Sequence, residues 1–408
     1  MPLNYNFNSI SNVNFNGNPV SKINFNGTEV WSSSPTPVTL EPFYIENASN
    51  ENSITLSLSK KSASAPEVYL EYSSDGGTTW NTFSQDTNYT LPASGKFSFR
   101  APQRTPNSTF ATSIANCNVF VGSNFFKAGG DITTLLEKDG GITDLTNYGT
   151  YTFCGLFRDL NNNTPAVLSD CTNLVLPSTT LQDYCYRNLF YNCNNITSAP
   201  TLPATTLATE CYCYMFYACG GLTTPPALSA TNLATGCYKS MFYNSGLTSA
   251  PTLPATTLAT DCYKHMFYQC TYLTTPPVLP ATTLANNCYD TMFGSSGLTS
   301  APALPATNLE QSCYASMFSG CTNLTSGPDL PATTMAKWCY QKMFLGSTVS
   351  SVKVYFTVWD DSIYSTSNWF QFDSVQSGTF YCPSALGDDS TITRGISNCP
   401  TGWTVVNF

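Results

Sequence analysis

The chain has 408 residues and a formal net charge of -9, and with only 10% of residues charged its surface must be coated by Asn, Ser, Thr and Tyr. With 16 Lys and Arg against 25 Asp and Glu, it lacks the clustered positive charge that phosphate neutralisation needs, so nucleic acid is not expected as a partner. The length exceeds one ordinary core and predicts several domains or a repeat array.

Met1-Pro2-Leu3-Asn4-Tyr5-Asn6-Phe7 offers neither a basic region nor an apolar run, so no signal peptide is expected, and no stretch reaches the ~18 apolar residues of a membrane span. Residues 1–34 hold a small duplication, Val13-Asn-Phe-Asn-Gly17 and Ile23-Asn-Phe-Asn-Gly27. Asn16-Gly17 and Asn26-Gly27 are hairpin turn signals between apolar-alternating runs. So short a hairpin segment needs a partner surface, which can simply be the next domain.

Residues 35–127 predict an immunoglobulin-like β-sandwich. The runs Ser53–Leu58, Glu67–Tyr72 and Lys96–Arg100 alternate with period two. Ser73-Ser-Asp75-Gly-Gly77-Thr-Thr79-Trp80 matches the Asp-box hairpin of β-propellers such as sialidases. A single box with only Arg100 and Arg104 nearby reads as a structural turn.

Residues 128–345 carry the strongest signal, about eight copies of a unit with a period of 25–26 residues. Cys185, Cys211, Cys237, Cys262, Cys288, Cys313 and Cys339 recur at that spacing, each followed by Tyr and then, after two variable positions, an apolar-Phe pair. Leu258, Cys262, Met266 and Cys270 stand at steps of four, which predicts a short helix capped by Thr256 or Thr257. The paired prolines of Leu273–Leu279 predict the extended side of each coil. Asp131–Glu137 reads as a short opening helix and Thr152–Phe157 as a degenerate first copy, with an insertion at 159–170. An α/β leucine-rich-repeat solenoid is the expectation. Residues 346–408, with the strand-like Ser351–Phe356, form a C-terminal β cap.

The 17 cysteines are expected to be reduced and inward-facing. A second position, eight residues after the first, holds Cys193, Cys219, Cys270 and Cys321 but Ser245 and Ser296 elsewhere. An obligatory disulfide or metal ligand would need sulfur every time.

The pattern Cys-Tyr-x-x-Met-Phe-x-x-Cys-x-x-Leu-Thr-x-x-Pro-x-Leu-Pro resembles the BspA-type leucine-rich repeats of bacterial surface proteins. It also resembles the variant found in tail and fibre proteins of Bacteroides-infecting, crAss-like tailed phages, which its Leu-Pro-Ala-Thr run favours. The Asn-Gly-x-x-Val-Trp ending near Trp31 is similar to attachment segments of phage virion proteins, and Gly378–Trp403 to the segment that closes such arrays. The resemblance implies a virion fibre or appendage, assembled in the host cytoplasm as a homo-oligomer. Residues 1–34 would meet other virion proteins, and the repeats would meet a bacterial surface glycan or protein. A bacterial surface adhesin is the alternative.

No enzyme chemistry is expected. The single histidine, His265, occupies a variable slot, and Cys211-Tyr-Cys213 has no matching pair at zinc spacing. Glu210 and Asp261 occupy a variable slot too, which makes them poor glycosidase carboxylates. No cofactor or metal is expected. The candidate ligand-contact stripe is Tyr191, Tyr217, Tyr243 and Tyr268, six residues after successive repeat cysteines, with Tyr214 beside it. The same spacing also suits rings packed against the neighbouring coil.

Overall fold

A computed structural model describes residues 40–102, 109–158, 168–370, 377–395 and 397–408, together with short strands between residues 14 and 32. Two compact units result, residues 1–41 and residues 42–408. In the first, β1 (Asn14–Phe15) pairs antiparallel with β2 (Asn18–Pro19), and β3 (Lys22–Phe25) with β4 (Thr28–Ser32). The expected Asn-Gly turns lie outside the described residues, between those paired strands.

The second unit begins with β5 (Tyr44–Asn47), β6 (Ile54–Lys60), β7 (Leu70–Ser73), β8 (Asn81–Phe83), β9 (Tyr89–Leu91), β10 (Lys96–Arg100), β11 (Asn118–Gly122) and β12 (Phe126–Asp131). One sheet runs β12-β5-β10-β7-β8 and a smaller one β11-β6-β9, and neither closes on itself. Their alternating apolar residues face each other, with Phe99 of β10 and Phe120 of β11 at 5.4 Å between ring centres and Phe43 within 5.9 Å of both. The Asp75 turn joins β7 to β8. Its carboxylate accepts from the Thr79 hydroxyl, the Ser73 hydroxyl and the Thr78 and Thr79 amides, which lowers its pKa to about 2. Arg104 lies outside the described residues.

Strand β12 links this region to the repeats, and the expected boundary at 127/128 falls inside it. It pairs antiparallel with β5 and parallel with β13 (Leu168–Asp170) and β14 (Leu174–Val175). The short helix expected at Asp131–Glu137 is a 3-10 turn at Ile132–Leu135, capped by the Asp131 side chain on the Thr133 amide.

No α-helix forms among the described residues. This corrects the α/β class and the helix expected through Leu258, Cys262, Met266 and Cys270, with its Thr256 or Thr257 cap. The reason lies in where the amides go. In the copy around Cys211, Cys213, Met215 and Tyr217 donate three residues back, to the carbonyls of Glu210, Tyr212 and Tyr214. The alternate residues Tyr212, Tyr214 and Phe216 donate across to Cys237, Lys239 and Met241 of the next copy. The chain is thus a run of overlapping tight turns, and every fourth residue takes positive φ, as at Glu210 (+48°), Tyr214 (+56°) and Ala218 (+54°). Left-handed backbone at a non-glycine residue costs about 1–2 kcal/mol. The cross-copy ladder, and the apolar side chains that its four-residue spacing sends inward, offset that cost.

Those inward side chains stack on their counterparts. Ring centres of Tyr186, Tyr212, Tyr238, Tyr263, Tyr289, Tyr314 and Tyr340 follow one another at 5.8 to 6.0 Å. Phenylalanines from Phe157 to Phe344 make a parallel column at 5.3 to 6.0 Å. Phe153 and Phe157 occupy the Tyr and Phe positions of an opening copy, whose backbone also accepts from Phe110 and from Phe120 of β11. The ladder outlasts the sequence pattern by one copy, because Tyr340, Lys342 and Phe344 donate to Ser365, Ser367 and Trp369. A parallel sheet of β15 (Asp329–Leu330), β16 (Ser351–Val354), β17 (Thr379–Cys382) and β18 (Thr404–Asn407) forms the last stretch.

Candidate functional site

The repeat cysteines form the interior. Cys185, Cys211, Cys237, Cys262, Cys288, Cys313 and Cys339 are fully buried and unpaired. Burial pushes every one of these thiols up, Cys288 and Cys339 to about 12. A thiol so protonated is a packing group. Around the second position, Cys219, Cys270 and Cys321 donate to the carbonyls of Phe190, Phe242 and Phe293 at 3.0 to 3.1 Å, and Ser245 meets the Cys270 sulfur at 3.5 Å.

The stripe tyrosines stand on the outside, half-buried. Tyr191, Tyr217, Tyr243 and Tyr268 stack in one column at 4.6, 4.6 and 4.8 Å, closer than the interior columns. Rings this close cover each other's faces and leave edges and hydroxyls to solvent. Burial, then the Tyr217 and Tyr268 phenols, raises the Tyr243 hydroxyl to about 12. The column ends where the next copy has Gly294, across which the Tyr268 ring lies. Tyr214 sits beside the column, tilted 59° against Tyr217 at 5.7 Å.

An open groove of about 390 Å³ runs along this column. Tyr191, Tyr214, Tyr217 and Tyr243 line it with Arg187, Asn188, Ser240, His265 and, from a loop before β11, Ile114. Asn188, Tyr214, Ser240 and His265 are the same slot in four successive copies, so the large Tyr214 ring stands between two small neighbours. Asn188 is 6% and Ser240 1% exposed. Asn188 Oδ1 and Ser240 Oγ are both buried without a hydrogen-bond partner, an arrangement that costs free energy unless something fills it.

Charges in the neighbouring slots of these copies are matched copy to copy. Arg187 pairs with Glu210, Lys264 with Asp290 at 2.9 Å and Lys239 with Asp261 at 3.9 Å. Glu210 and Asp261 are therefore held by cations of the preceding copy. His265, the occupant of a variable slot, lines the groove. Desolvation lowers its pKa, with Asp290 opposing, so its imidazole is neutral at pH 7. Arg187, Asn188 and Ser240 were missed because each sits in a slot that varies between copies. The slot of Asn188 and Ser240 is the one His265 occupies, so the sequence sets them beside Tyr214, but it does not convey their burial. Ile114, distant in sequence, left no such signal.

Among the described residues no cluster of His, Cys, Asp or Glu could hold a metal ion, and no helix is long and apolar enough to cross a membrane. No family model matches the chain, and no curated protein matches it.

Proposed function

We propose that this chain is a non-enzymatic binding and display protein of a bacteriophage virion. In this reading residues 42–408 comprise an immunoglobulin-like sandwich, a leucine-rich-repeat-like solenoid over 128–345 and a closing cap, and residues 1–34 attach them to other virion proteins as part of a homo-oligomer. The observation that carries the binding part is the column of half-exposed tyrosines over four successive copies. Tyrosine supplies contact area and a hydroxyl at low entropic cost, and repetition multiplies it along one face. The phage resemblance of the repeat and the reduced state of the thiols support assembly in a host cytoplasm.

Mass spectrometry of purified tailed-phage particles tests the placement. A stoichiometric copy number in the particle is the expected result. Absence from the particle, with the protein recovered instead from a bacterial envelope, would replace the virion role by that of a surface adhesin.

A further inference from the structure

We infer that the groove beside Tyr214 is a binding site for a neutral carbohydrate chain, with Asn188 and Ser240 hydrogen-bonding sugar hydroxyls on either side of the Tyr214 ring. The inference rests on the reading of the tyrosine column as a contact surface and names what that surface takes.

Three observations select this chemistry. Asn188 Oδ1 calls for a donor, and Ser240 Oγ can accept or donate. Both are buried at the groove and lack a partner, so a ligand that reaches them recovers the desolvation already incurred. Separate sugar hydroxyls can donate to the two positions while the sugar's C–H groups lie against the exposed tyrosine edges.

Next, the groove offers no backbone to an extended peptide. Its amides are consumed alternately by three-residue turns and by the cross-copy ladder, as Asn188 to Cys213 and Ser240 to Lys264 show at 3.0 and 2.8 Å. Strand addition therefore has nothing to pair with there.

Finally, Arg187, Lys239 and Lys264 are each engaged by an acid of the following copy. Arg187, the charged side chain in the groove lining, is thus already paired, and the chain's net charge of -9 repels anions. Uronic and sialic acids are disfavoured against neutral hexoses.

The test uses the full chain on an array of neutral oligosaccharides (glucose, galactose, mannose and N-acetylglucosamine polymers) beside sialylated and uronic ones. It also measures retention of labelled protein on a panel of bacterial cells, untreated, periodate-oxidised or protease-shaved. Asn188 and Ser240 have φ of +58° and +52°, so Asn188→Gly and Ser240→Gly remove the polar atoms without straining the backbone. We expect saturable binding to a neutral glycan, weakened at least about tenfold by either substitution with unchanged thermal melting. Cell retention should vanish after periodate and survive protease. Preference for acidic glycans, indifference to both glycine variants, or no array binding would overturn the inference. Retention lost to protease but not periodate would overturn it too, while leaving the tyrosine column as a protein-contact surface. Retention unchanged in Tyr217→Ala/Tyr243→Ala would remove the column from binding altogether.

Discussion

Cys262 illustrates what a single residue does here. Its thiol is buried among aromatic rings, and its ionised form is disfavoured first by desolvation and then by Cys288. Desolvation likewise disfavours ionisation of its six counterparts, so the folded protein keeps protons that the unfolded chain releases above the ordinary thiol pKa. The sign follows: with more protons bound in the folded state, stability is full below that pKa and falls as pH rises. Each thiol contributes a slope of about 1.4 kcal/mol per pH unit. Denaturant unfolding followed from pH 7 to 11 should show stability level at first and then dropping steeply above roughly pH 9. A flat profile would mean that the thiols are solvated. The same burial predicts that an aromatic disulfide reagent at pH 8 titrates almost none of the 17 thiols in native protein and all of them in denaturant.

At the level of the repeat element, the copies alternate in length, and the second cysteine position explains how. Copies with Cys219 or Cys270 continue Cys-x-x-Leu, whereas those with Ser245 or Ser296 continue Ser-Gly-Leu and are one residue shorter. A Cβ on Gly246 would collide with the carbonyl oxygen of Gly220, and one on Gly297 with that of Thr271. The shorter copy is pulled onto its predecessor, and only glycine allows the approach. Gly246→Ala or Gly297→Ala should therefore cost about 1–3 kcal/mol, read as a lower denaturant midpoint, while alanine at the solvent-facing Thr248 should be nearly neutral. Equal effects at both kinds of site would refute the close approach.

The same element shows what sequence could convey. Its period and inward cysteines were legible, because the apolar core positions repeat their residue type copy after copy. The helix was misread because a four-residue apolar step satisfies a helix and a run of turns alike. The discriminating signal lay in the slots before, three after and seven after each repeat cysteine. Asn188, Asn192, Gly236, Asn244, Asp261, Asn287, Gly320 and Gly346 there include many of the residue types that tolerate positive φ. The tyrosine column was legible by spacing. Whether its rings faced solvent depended on tilt and on the loop bearing Ile114, which no local pattern encodes. The closing copy at 364–370 was invisible because Ser365, Thr366 and Trp369 replace the Cys, Tyr and Met that mark the others, although Phe370 keeps the Phe and stacks on Phe344 at 5.0 Å.

For the molecule as a whole, a backbone ladder passes from β11 through the opening copy and then copy by copy to Trp369. Each copy bonds chiefly to its immediate neighbours, so stability should be a sum of copy and interface terms, and copies should be removable in units that restore the interfaces. The unit is two copies, since long and short copies alternate from Cys211 to Cys321. Excising residues 237–287 joins a long copy to the short copy at Cys288, as in the parent. Excising 262–287 alone sets two short copies together and seats Gly297 on Gly246 instead of on Thr271. The first deletion should melt cooperatively within a few degrees of the parent, whereas the second should melt markedly lower or lose its single transition, judged by circular dichroism. The two-copy deletion also removes Ser240, Tyr243, His265 and Tyr268, so it should stay folded while losing the groove. If both deletions melt alike, the alternation is incidental. If neither folds, the copies do not interact as independent neighbours and the array behaves as one indivisible core.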